Sequence, residues 1–159
     1  MDKLKIVADS ARKALTVRRR ASQCDTFLLA RAKRLIRTVK LICEIPEVTE
    51  TNLAIDRFSL LTATWFSDAG LAELACRDNR DLDFATDQSA AEKASALCEE
   101  VLKSNLSSVL SPAQLEKVGS IITESFGRFT DRPEAMILSD ARNLDDMGLI
   151  GFLGEFNRH

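Results

Sequence analysis

The sequence predicts an all-α protein: one domain, residues 1–159, folded as a bundle of about six to seven helices. Three observations lead there. Apolar residues recur at three- and four-residue spacings along most of the chain, the mark of helices with one buried face. Only three prolines and six glycines punctuate 159 residues, too few for the many turns of a β-protein. Alternation with period two is nowhere sustained, so essentially no sheet is expected. A chain of this length is large enough for one real core.

Residues 2–20 read as a helix with Leu4, Val7, Ala8, Ala11, Leu15 and Val17 on one face. It ends in Arg18-Arg19-Arg20, cations that suit the negative end of a helix dipole. Residues 1–22 are thus a basic N-terminal helix, packed on the bundle or extending from it. Ser22 or Asp25 caps the next helix, which runs to about Glu44. Leu28, Leu29, Ala32, Leu35, Ile36, Val39 and Ile42 form its buried stripe, while Arg31, Lys33, Arg34, Arg37 and Lys40 occupy the rest. Pro46 closes it.

Thr49 or Thr51 caps a helix from Asn52 to Asp68. This one is apolar nearly all round, which places it at the centre of the bundle. Gly70 permits a sharp turn, and Leu71 to Cys76 add a helical turn or two. A polar connector, residues 77–83, leads to a helix capped by Thr86 or Asp87 and running to about Lys103. Ser111-Pro112-Ala113-Gln114 is a strong start signal: a cap, proline in the first turn and a capping-box glutamine. That helix runs to about Phe126, and Gly127 ends it. The last helical pattern runs from Pro133 to Asn143, with Ala135, Ile137, Leu138, Ala141 and Leu144 inward and Gly148 as the stop signal. Leu149-Ile150-Gly151-Phe152-Leu153 is apolar enough to dock on the bundle.

The net charge of −2 hides an asymmetry: residues 1–40 carry 12 Lys/Arg and 3 Asp/Glu, the remainder 10 and 21. Either the basic part packs beside the acidic remainder, or it meets an anionic partner such as nucleic acid or a phosphorylated ligand. No glycine-rich or aromatic RNA-binding motif accompanies it, so packing is the preferred reading and nucleic acid is not expected. No apolar run has the length of a membrane span, and the N-terminus lacks the apolar core of a signal peptide. A cytoplasmic protein without a membrane partner is expected. Cys24, Cys43, Cys76 and Cys98 are widely spaced, which favours reduced structural thiols over zinc or disulfides.

Two stretches carry the functional reading. The first, Leu60-Leu61-Thr62-Ala63-Thr64-Trp65-Phe66-Ser67-Asp68-Ala69-Gly70, is an apolar helical run ending in a polar dyad and glycine. The second is Asp140-Ala141-Arg142-Asn143-Leu144-Asp145, followed by Asp146. Together, over roughly residues 25 to 155, they resemble the HD-domain phosphohydrolase family. Its signature is an apolar helix ending in His-Asp, with a later helix carrying an Asp-Ala-Asp-x-Leu-Asp-like stretch. The resemblance implies a helical bundle of HD-domain type.

It also implies a metal site whose ligands are two histidines and two aspartates. Such sites activate a water against a phosphoester. Here Arg31 stands at the first histidine position, Ser67 at the second, and only Asp68 and Asp140 survive. Glu124 stands where some members carry another histidine. The chain's single histidine is His159, its last residue. The resemblance therefore implies a degenerate site of Arg31, Ser67, Asp68 and Asp140, with no cofactor expected and a non-catalytic role. That role is to bind a small phosphorylated ligand or a protein, as a regulatory or interaction module; a homo-oligomer is compatible with it. The alternative is a divergent phosphohydrolase in which Asp68 and Asp140 hold Mg²⁺ or Mn²⁺ through hard oxygen ligands. No P-loop, G-x-S-x-G or core histidine supports another enzyme class. Arg31, Asp68 and Asp140 are expected to meet, with the guanidinium standing where the metal would sit, because a bare pair of carboxylates would repel.

Overall fold

A computed structural model describes residues 2–18, 24–50, 54–78, 88–127 and 129–148 of the chain. Among them the fold is all-α. The helices are α1 (Lys3–Ala14), α2 (Phe27–Ile42), the short α3 (Pro46–Glu50), α4 (Arg57–Phe66), α5 (Ala69–Asp78), α6 (Gln88–Leu106), α7 (Pro112–Ser125) and α8 (Pro133–Met147). One small antiparallel pair, β1 (Val17–Arg18) with β2 (Cys24–Asp25), departs from the expectation of no sheet.

That pair corrects the reading of the N-terminal helix. α1 stops at Ala14, so the cations of its last turn are Arg12 and Lys13 rather than the arginine triplet. Thr16 Oγ1 donates to Arg12 O at 2.7 Å, one of the helix's last carbonyls. Leu15 and Val17 are both buried, the spacing of an extended segment rather than a helix. Arg18 lies opposite Cys24; Arg19 and Arg20 fall outside the described residues, as do Ser22, Thr51, Thr86, Asp87 and the segment 149–153.

Helix starts follow short-range chemistry. Asp2 accepts from Leu4 N at 3.0 Å and opens α1. Asp25 Oδ1 accepts from Phe27 N at 2.8 Å ahead of α2. Pro46 begins α3 instead of merely closing α2, because proline suits a first turn, where its missing N–H is not needed. Asp56, not Thr49, caps α4, accepting from Ser59 N at 3.0 Å. α7 carries the full capping box between Ser111 and Gln114.

α4 lies at the centre, packed on α1, α2, α7 and α8. Leu60, Ala63 and Phe66 are fully enclosed there; a side chain the size of Leu60 or Phe66 contributes about 1.5–3 kcal/mol by burial. Its polar members are buried at little cost because their hydroxyls bond back along the helix. Thr62 Oγ1 donates to Phe58 O and Thr64 Oγ1 to Leu60 O, each at 2.8 Å. α2 packs on α8, and α5 on α6.

Two glycines behave differently. Gly70 makes no turn: it lies in the first turn of α5, and a Cβ there would stand 1.8 Å from Ala94 O on α6. Glycine is required for that close crossing. Gly119 lies within α7, where a Cβ would meet nothing within 4 Å. Mid-helix glycine costs about 1 kcal/mol relative to alanine, and no packing among the described residues demands it.

Candidate functional site

The site forms where the start of α2, the joint between α4 and α5, and the end of α8 converge. Arg31 and Arg34 are three residues apart on α2 and flank its buried stripe, so both can reach α8. Asp68 sits in the short turn between α4 and α5. Its side chain is 0% exposed.

Arg31 Nη1 donates to both oxygens of Asp68, at 3.2 Å each. Arg31 Nε donates to Asp145 Oδ2 at 3.3 Å and Nη2 to Asp146 Oδ1 at 2.8 Å. One guanidinium thus bridges three carboxylates, using the planar fork that lysine lacks. Arg34 grips Asp145 with two nitrogens, Nε at 2.7 Å and Nη2 at 3.0 Å. From the other side Arg142 Nη1 donates to Asp68 Oδ1 at 3.4 Å, and its guanidinium lies 4.1 Å from the centroid of the Phe126 ring. Three guanidiniums therefore face three carboxylates, and the network is charge-balanced.

Its electrostatics follow. Burial lowers the Arg31 pKa, but Asp68, Asp146 and Asp145 outweigh it and the pKa is raised. Burial would raise Asp145, but hydrogen bonds and charge from Arg34, with Arg31, hold it below the ordinary carboxylate value. Arg142 is lowered, chiefly by burial and also by Arg31, despite the attraction of Asp68. Beneath the site Cys98 Sγ donates to Phe66 O at 3.4 Å. Burial and the nearby Asp68 push its pKa up to about 12, so the thiol is not poised for nucleophilic work.

Of the residues singled out in the sequence, Arg31 and Asp68 meet. Ser67 is buried, but its hydroxyl donates to Thr64 O at 3.2 Å and takes no part in the network. Asp140 is exposed and makes no ion pair among the described residues. The expected meeting of Arg31, Asp68 and Asp140 is corrected to Arg31, Asp68, Asp145 and Asp146. The reason is helical phase: Asp145 lies one turn beyond the buried Ala141, whereas Asp140 points about 140° away from Asp145 around the axis. Leu144, expected inward, is 51% exposed for the same reason. Glu124 pairs instead with Arg132 at 3.1 Å and accepts from Thr130 Oγ1 at 2.7 Å.

The sequence reading missed Arg34, Arg142, Asp145 and Asp146 as site members. The signal was there: Leu138, Ala141 and Asp145 continue one face if α8 is carried past Asn143 to Met147. The carboxylates do not suit a divalent metal. Both oxygens of Asp68 already accept from Arg31, and a cation would have to displace a permanently charged guanidinium. Asp68 and Asp145 have both oxygens engaged by arginines, whereas Asp146 meets Arg31 through Oδ1 and is 64% exposed.

No family model, curated protein or solved structure matches the chain.

Proposed function

We propose that this chain is a non-catalytic helical module with an HD-like arrangement of helices, serving as a regulatory or interaction domain. One observation carries the reading. The guanidinium of Arg31, at the position that the resemblance gives to a metal-binding histidine, lies among Asp68, Asp145 and Asp146 and engages the carboxylates a metal would need. The network neutralises its own charge, which disfavours a phosphorylated ligand there and favours contacts made elsewhere on the surface. A cytoplasmic setting accords with four free cysteines, two of them exposed, since exposed thiols persist in reducing compartments. No helix among the described residues is long and apolar enough to cross a membrane.

The test is hydrolysis and metal content of the purified chain. Incubation with Mg²⁺, Mn²⁺ or Co²⁺ is expected to give no turnover of nucleotides or generic phosphoesters above background. Turnover that Asp68→Ala abolishes would overturn the reading in favour of a divergent phosphohydrolase.

A further inference from the structure

α6 and α7 form an antiparallel helical hairpin joined by residues 107–111. Its outer side holds an open groove of about 650 Å³. The small residues Ser95 and Ala96 from α6 and Gly119 and Ser120 from α7 line it, together with Cys98 and Leu115, which are buried. The rim carries Glu99, Glu116 and Glu124; Glu124 is already held by Arg132 at 3.1 Å, which leaves Glu99 and Glu116 as the acids open to a partner. Glu116 makes no hydrogen bond or ion pair among the described residues. Glu99 holds Lys103 only through an exposed contact between side chains 66% and 63% exposed, the kind that is weak and easily exchanged.

Gly119 makes this groove more than a gap between helices. Gly70 is explained by the backbone 1.8 Å from its missing Cβ, whereas nothing lies within 4 Å of the Cβ position of Gly119. The helix-propensity penalty at Gly119 is offset by no contact among the described residues. Its effect is to deepen the groove midway along α7.

We infer that the groove between α6 and α7 receives a basic amphipathic helix from a partner protein. Leu115 to Glu124 lie along it, nine rises of about 1.5 Å, or roughly 14 Å, which matches two to three turns of helix. Large apolar side chains of the incoming helix would seat against Leu115 and the small residues beside it, and its lysines or arginines would reach Glu99 and Glu116.

The inference rests on reading the chain as an interaction module, but its test is independent of hydrolysis. The probe is a fluorescent leucine/lysine amphipathic peptide of about 18 residues, long enough to form helix. Controls are a scrambled peptide of equal composition and a leucine/glutamate version. Anisotropy should show the helical basic peptide binding at least about tenfold more tightly than either control, a difference typical of a specific site. Gly119→Leu, which fills the groove, should weaken binding about tenfold or more while the melting temperature holds or rises. Glu116→Lys, on the exposed surface, should also weaken it. Equal binding of the scrambled peptide, or binding unchanged in Gly119→Leu, would overturn the proposal. So would a concentration-dependent dimer that Gly119→Leu dissolves, which would put a second copy in the groove.

Discussion

Arg31 Nη1 lies 3.2 Å from each carboxylate oxygen of Asp68, and the other nitrogens of the same guanidinium reach Asp145 and Asp146. A single side chain on α2 thereby fixes the α4–α5 joint and the end of α8. Removing it leaves the Asp68 carboxylate, 0% exposed, with Arg142 at 3.4 Å as its remaining cation.

Arg31→Ala is therefore expected to destabilise the fold by roughly 3–5 kcal/mol, the cost of breaking a buried pair from one side. Arg31→Lys should lose much of the same stability, because a point charge cannot bridge three carboxylates. Arg31→Met combined with Asp68→Leu should cost clearly less than the two single changes added together. Urea unfolding measures all of these; additive costs would show that the two residues are not coupled.

Gly70→Ala and Gly119→Ala should move stability in opposite directions. The first forces a methyl toward Ala94 O and must push α5 from α6, costing about 1–3 kcal/mol or more. The second enters open space and gains about 1 kcal/mol of helix propensity. Thermal melts of both variants check the sign; destabilisation by both would mean that Gly119 is packed after all.

Acid stability should carry the signature of Asp56. Burial alone would raise this carboxyl, but the hydrogen bond from Lys117 and those from Ser59 outweigh it and lower the pKa from 3.8 to about 2. A carboxyl held lower in the folded state favours folding above its unfolded pKa, and that favour is lost as pH falls toward the folded value. Stability should thus fall between about pH 4 and pH 2, and Asp56→Asn should flatten the fall. Asp145 acts in the same direction. A pH series of unfolding curves, identical in slope for wild type and Asp56→Asn, would refute this.

Thiol reactivity should divide the cysteines. Cys24 and Cys76 are exposed, Cys43 and Cys98 buried, and burial raises the pKa of Cys43 as well as Cys98. Brief iodoacetamide treatment at pH 8 should label Cys24 and Cys76 in the folded protein, and all four after denaturation. Mass spectrometry of the peptides gives the answer, and native labelling of Cys98 would contradict it.

Legibility from sequence tracked the range of the chemistry. α7 was readable to the residue because Ser111, Pro112 and Gln114 act within one turn. α1 was read too long because Leu15 and Val17, both buried, fit a helix face until Val17–Arg18 is known to be a strand. The α4 cap was assigned to Thr49 or Thr51, although Asp56 holds it with help from Lys117 Nζ at 2.8 Å, 61 residues away. In the site, Arg31 and Asp68 were brought together by the family resemblance, with the repulsion of two carboxylates as the reason for a bridging cation. Choosing Asp145 over Asp140 required the true end of α8, and a helix that runs one turn further selects a different carboxylate.

The contact between Arg31 and Asp145 joins residues 114 apart in sequence, whereas α6 and α7 are neighbours along the chain. Closing so long a loop has a large entropic cost that local hairpins avoid. α8 should then dock after the rest of the bundle has assembled, with its charged end fastened last. Arg31→Ala would in that case speed unfolding and leave the folding rate nearly unchanged, a φ-value near zero. The network acts as a clasp on a finished structure, setting how long the fold persists rather than how quickly it forms.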